Sequence, residues 1–234
     1  MKNVTSFLSM ILLVSALHAQ VAPAERQALL DFYESTNGDN WVHSWDIEKP
    51  VAEWQGVTVE NNTVTGIRLL FNNLNGTLPQ SIANLKNLKI LELSFNKLSG
   101  ELPESLGNLT HLEVLAFNGN MLEGEVPNSI GKLENLKQLH LSSNLLTGQL
   151  PGSIIYLKNL EVFNVFDNKL SGELPSGLSQ INTLREVVIA ENDFTNAQQF
   201  SFVLMSNSAQ LNFRETSGLP PTKSVIAIET SDEN

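Results

Sequence analysis

The sequence predicts an α/β repeat solenoid: a right-handed curved rod with a parallel β-sheet on its concave side and a cap at each end. Three observations carry that prediction. Asn72, Asn96, Asn120, Asn144, Asn168 and Asn192 fall 24 residues apart. Gly76, Gly100, Gly124, Gly148 and Gly172 keep the same spacing, as do Pro79, Pro103, Pro127, Pro151 and Pro175. Within each period a short stretch alternates apolar with variable residues, the pattern of a strand with one buried face. One such strand cannot bury its face alone, so a fixed period of about 20–29 residues means stacked coils sharing one core.

Residues 1–19 read as an export leader. Lys2 supplies the positive end, Phe7 to Leu17 is mostly apolar, and small residues follow. Cleavage after Ala16 places Val14 at the −3 position and fits the small-residue rule better than cleavage after Ala19, which places Leu17 there. The apolar run is shorter than the roughly 20 residues of a membrane span. The expectation is a secreted, periplasmic or other extracellular protein, with no membrane insertion once the signal peptide is removed.

Residues 20–61 are expected to form the N-terminal cap. Pro23 can open a helix whose Leu29, Phe32 and Tyr33 share a face. "TNGDNW" at 36–41 is turn chemistry. Trp41, Trp45 and Trp54 suit a cap core better than a carbohydrate platform, because the apolar side of a cap must be buried.

Residues 62–193 carry the repeats. Val64, Leu88, Leu112, Leu136, Leu160 and Leu184 begin the apolar pattern, followed by the columns headed by Ile67 and Leu69. The Asn column is read as structural: an amide turned inward where each strand ends can satisfy main-chain groups of its own and the neighbouring turn. Gly then permits a tight turn and Pro fixes φ beyond it. Pairs such as Ile82 and Leu85, or Leu106 and Leu109, sit three apart and suit a short helical turn on the convex side. The Gly and Pro columns lapse at 196 and 199. Residues 194–214 are therefore expected to be a C-terminal cap, with a helix in "AQQFSFVLMS" and a strand in "AQLNF", and 215–234 an acidic flexible tail.

"LSGELP" at 98–103 and 170–175, with "SLGNLTHL" and "SIGKLENL", resembles the plant-type leucine-rich repeat, over roughly residues 62 to 206. Secreted bacterial repeat proteins, plant receptor-like kinase ectodomains and polygalacturonase-inhibiting proteins carry this subtype. Their cap has a Cys-x-Trp-x-Gly-Val-x-Cys motif; here Ala52 and Val59 stand at the cysteine positions around Trp54, Gly56 and Val57. With no cysteine in the chain, the cap is expected to replace the disulfide with apolar packing, and a bacterial envelope suits it better than a eukaryotic secretory route. The resemblance implies a binding module; by the same analogy, alternatives are a secreted inhibitor of a polysaccharide-degrading enzyme or a cell-surface adhesion or structural element.

The letters that vary within the repeat point to where a partner binds. Positions between the buried ones are expected on the concave face, where repeat proteins usually bind. Arg68, Leu70, Phe71, Ile90, Glu92, Phe95, Val114, His140, Val162, Asn164 and Phe166 are the candidate partner-binding residues, with Phe71 and Phe95 close enough to stack at a spacing of about 4.8 Å. The partner is expected to be an extracellular protein, peptide or polysaccharide. Net charge is −11, which offers nucleic acid no basic stripe. His140, Ser142, Ser143 and Asp167 are the one set near enough to test for catalysis, but His140 and Asp167 fall about 11 Å apart on strand geometry and cannot form a base–acid pair. No catalytic residues, metal site or cofactor are expected, and the four histidines have no metal-ligand spacing.

Overall fold

The computed structural model describes residues 21–197. The expected leader and tail, and most of the expected C-terminal cap, lie outside the described residues. The cap begins with the helix Pro23–Ser35, which has Pro in its first turn and buries Ala28, Leu29, Phe32 and Tyr33. It ends where both the backbone N–H and the hydroxyl of Thr36 donate to the Phe32 carbonyl, at 3.1 and 2.6 Å.

The three tryptophans form the heart of this cap. Trp45 stacks on Trp54 with ring centroids 4.8 Å apart, and Trp41 meets Trp45 edge-on at the same distance. The indole N–H of Trp41 donates to the Thr36 carbonyl, that of Trp45 to Gln55 and that of Trp54 to Lys49. Rings buried on their faces and tied at their edges cannot serve as a sugar platform. Of the two positions where the cap motif has cysteine, Ala52 is exposed and Val59 leans on the core; the apolar packing of the cap centres on the tryptophan cluster.

Among the described residues, seven strands form the concave sheet. Val57–Glu60 and Thr63–Arg68 make an antiparallel hairpin, and Ile90–Glu92, Val114–Ala116, Gln138–His140, Val162–Asn164 and Glu186–Val188 follow in parallel. Each parallel pair is offset by one repeat, as in Ile67 opposite Leu91 and Leu91 opposite Leu115. Buried Glu25, in the helix, accepts the Val64 N–H at 3.1 Å and fastens the cap to the first repeat strand. Burial pushes its carboxyl above the usual value, opposed by that bond. At the same junction Gly76 has φ +142, and a β-carbon there would lie 2.0 Å from the Ser35 carbonyl oxygen, so only glycine lets the helix end touch the first coil.

On the convex side five short 3-10 turns, Gln80–Asn84, Glu104–Asn108, Asn128–Lys132, Gly152–Tyr156 and Ser176–Gln180, each follow a proline. Leu88, Leu91, Leu93, Leu98, Leu106 and Leu109 are fully buried, and the same positions of later coils extend that core along the rod.

The Asn column forms the expected ladder. Asn120 donates to the carbonyls of Leu93 in the preceding coil and Phe117 in its own, while its Oδ1 accepts the Leu98 N–H of the preceding coil. Asn144, Asn168 and Asn192 repeat the arrangement. Asn72 differs: it accepts the His43 N–H at 2.7 Å and donates to the His43 carbonyl at 3.3 Å, so the first rung holds the cap. Asn196, in the position where glycine recurred, accepts the Leu174 N–H and donates to the Leu174 carbonyl.

Candidate functional site

Each concave strand after the hairpin is only three residues long, and this sorts the candidate residues into two groups. Arg68, Ile90, Glu92, Val114, His140, Val162 and Asn164 lie on the sheet and none is fully buried. Leu70, Phe71, Phe95 and Phe166 lie beyond the strand ends, on the rim. The alternation expected to run through position 95 stops earlier: Ser94 is buried at 3% exposure, not presented to a ligand. Ala116, on the sheet, is buried as well.

The backbone explains the rim. Phe71, Phe95, Gly119, Ser143, Asp167 and Glu191 all have positive φ, between 51° and 63°. This left-handed step follows each strand and turns the next residue, the ladder asparagine, inward. Phenylalanine is a costly choice there, by about 1–2 kcal/mol, because its Cβ crowds the carbonyl. The two rings stack nearly parallel, with centroids 4.5 Å apart and a 5° tilt, yet stay 66% and 48% exposed. Phe95 also lies over Gly119, where a β-carbon would come within 2.7 Å of its ring. Phe166 is three coils from Phe95, roughly 14 Å at strand spacing, and does not join this pair.

Across the sheet, Arg68 and Glu92 pair at 3.5 Å. His140 stands opposite Asn164 in the next strand and lies 3.4 Å from the Gln138 side-chain oxygen. Burial lowers the His140 pKa below the usual histidine value, while Glu186 and Glu92 pull it back up. The unfolded chain therefore binds a proton here more readily than the folded one, and stability falls as pH drops below about 6.5. An NMR titration of the His140 ring should give a midpoint below that value, and Glu92→Gln should lower it further; a midpoint above it would refute the burial account.

Beside the turns that follow the strands, Glu101 and Glu125 have a packing role. The Glu101 and Glu125 side chains cross over Gly124 and Gly148 of the next coil, where a β-carbon would approach each Cγ to 2.8 Å. Among the described residues no group of three or more His, Asp and Glu is placed to hold a metal ion.

The model of the leucine-rich repeat region family matches residues 70–213, more than half of the chain. The chain belongs to the leucine-rich repeat family. Its fold is similar to the BIR2 ectodomain from Arabidopsis thaliana at 27% identity and TM-score 0.66, covering 75% of this chain and 95% of that one. PEPR1–AtPEP1 is similar at 27% identity and TM-score 0.67; 74% of this chain is covered, which spans about a quarter (25%) of that one. The Arabidopsis receptor kinase HAESA, solved with the peptide hormone IDA and the co-receptor SERK1, matches 55% of this chain and 22% of its own at 34% identity and TM-score 0.54. No curated protein sequence matches the chain.

Two features of this leucine-rich repeat chain escape a reading by apolar columns. Just before each strand, Lys89, Glu113, Lys137, Glu161 and Arg185 alternate in sign one repeat apart, with Glu113–Lys137 at 2.7 Å and Glu161–Arg185 at 3.8 Å. On the convex side His111, Asn135, Asn159 and Thr183 each bond a carbonyl of the preceding coil, such as Asn159 to Glu134 at 2.7 Å. The 24-residue spacing of both was open to view. Only their varied residue types hid them.

Proposed function

We propose that this leucine-rich repeat protein is a secreted, non-catalytic recognition module that takes an extracellular partner on its concave face and aromatic rim. The observation that supports this most is the Phe71–Phe95 stack. Two large apolar rings occupy a left-handed position that disfavours them, and remain in water rather than joining the core. Strained, exposed residues of this kind concentrate at binding sites. The similarity to HAESA, solved with a peptide hormone and a co-receptor, favours a polypeptide over a small molecule.

The test compares wild type with Phe71→Ser/Phe95→Ser in capture from the native extracellular milieu. The double variant is expected to keep its circular dichroism, since neither ring is in the core, and to lose the species that wild type retains. Equal capture by a folded double variant would end the rim reading.

A further inference from the structure

We infer that a groove on the convex side, between the turns Gly152–Tyr156 and Ser176–Gln180, is the docking site of the chain's own segment Val225–Ile228. Ala83, Gly107 and Gly131 form one column of the convex turns, 24 residues apart. Small residues there let neighbouring turns close on each other. A β-carbon at Gly107 or Gly131 would lie 2.4 Å from the carbonyl oxygen of Ser129 or Ser153 in the next coil. The next member of the column is Ile155, too large for that approach. Its side chain lies instead across Gly177, where a β-carbon would come within 2.9 Å of it, and Gly177 stands where earlier coils have serine. The turn Ser176–Gln180 accordingly packs less closely on its neighbour than the earlier turns do. Its end is rotated too: Ile181 has ψ 107°, where Leu85, Leu109, Leu133 and Leu157 lie between 59° and 65°.

The groove that results holds about 450 Å³ and is lined by Ile155, Tyr156 and Lys158 of one coil and Gln180, Ile181 and Asn182 of the next. Tyr156 is 60% exposed beside half-buried Ile155. Gln180 and Asn182 carry amides that can both donate to and accept from a main chain. Lys158 makes no ion pair among the described residues. This lining suits an extended segment with apolar side chains and an acidic end. Within the acidic stretch 215–234, Val225, Ile226, Ala227 and Ile228 are such a run, and Glu229, Asp232 and Glu233 follow it. The described chain stops at Ala197, and the 27 residues 198–224 separate it from Val225. That is up to about 90 Å of extended chain, ample to reach a groove in the last coils. A tethered segment arrives at an effective concentration of about millimolar, which an unlinked partner would have to exceed. Docked there, the acidic tail is held on the back of the rod, away from the concave face.

The absence of cysteine makes the test direct, because any disulfide formed is an introduced one. In the full exported chain, Gln180→Cys/Ala227→Cys is expected to close a disulfide within one chain about tenfold faster than Asn108→Cys/Ala227→Cys. Asn108 holds the same turn position three coils away and is exposed. Val225→Asp/Ile228→Asp changes one residue on each face of an extended segment and none that lines the groove. It should abolish the preference and speed amide exchange of residues 177–182 by about tenfold, with circular dichroism unchanged. Equal cross-linking from the two sites would overturn the inference. So would exchange that ignores the aspartates, which would leave the groove open or filled by other residues. A disulfide that joins two chains would overturn it also and would make a second copy the occupant.

Discussion

Phe117→Ala is expected to cost about 3–5 kcal/mol of stability. The ring is fully buried and sits in the inward column between Leu93 of one neighbouring coil and Leu141 of the other, both fully buried. Removing it opens a cavity at mid-array that neither coil can fill, because their main chains are pinned at that level: the Phe117 carbonyl accepts from both Asn120 and Asn144. In a solenoid a coil contacts only its neighbours, so the loss weakens two interfaces at once. Denaturant unfolding should show a lower midpoint at an unchanged slope. The comparison is Phe166→Ala, whose side chain is 37% exposed and whose loss should stay within about 0.5 kcal/mol. Equal effects would mean that the column does not form the core described.

Asn120→Ala is expected to cost about 1–3 kcal/mol, because the buried Leu98 N–H loses its acceptor and the Leu93 and Phe117 carbonyls each lose one of two amide donors. Alanine leaves the Leu98 N–H inside the coil without the Asn120 oxygen, while Asn96 and Asn144 still donate to the Leu93 and Phe117 carbonyls. Asn120→Asp separates the contributions, since it keeps the acceptor for Leu98 and abolishes both donors. An unchanged melting curve for the alanine variant would refute the ladder as a source of stability.

Much of this architecture was legible because one physical demand recurs every 24 residues. The ladder asparagines, the inward leucines and the proline-led convex turns each answer that demand with the same residue type, so spacing alone exposes them. Phe71 and Phe95 were legible as a pair for the same reason, but not as a rim. Period-2 alternation gives no warning of where a strand stops, and the left-handed step that ends it accepts Phe, Gly, Ser, Asp and Glu in turn. The motif positions Ala52 and Val59 did not show which residues would do the apolar packing of the cap; the stacked rings of Trp45 and Trp54 do much of it.

The asparagine ladder has one more property. From Asn96 onward the side-chain amide of each rung bonds to its own coil and to the coil before it, while the main-chain N–H of Asn120, Asn144 and Asn168 bonds to the coil after. The amide ladder is therefore a ratchet with a direction. As the chain leaves the ribosome, each newly made coil supplies the amide that locks the previous one, starting from a cap already joined to Asn72. Growth from the N-terminus seals itself step by step, whereas a coil missing from the far end always leaves its predecessor open. The last described turn is closed by another means, Asn196 reaching back to Leu174, as a pawl set where the repeat itself has run out.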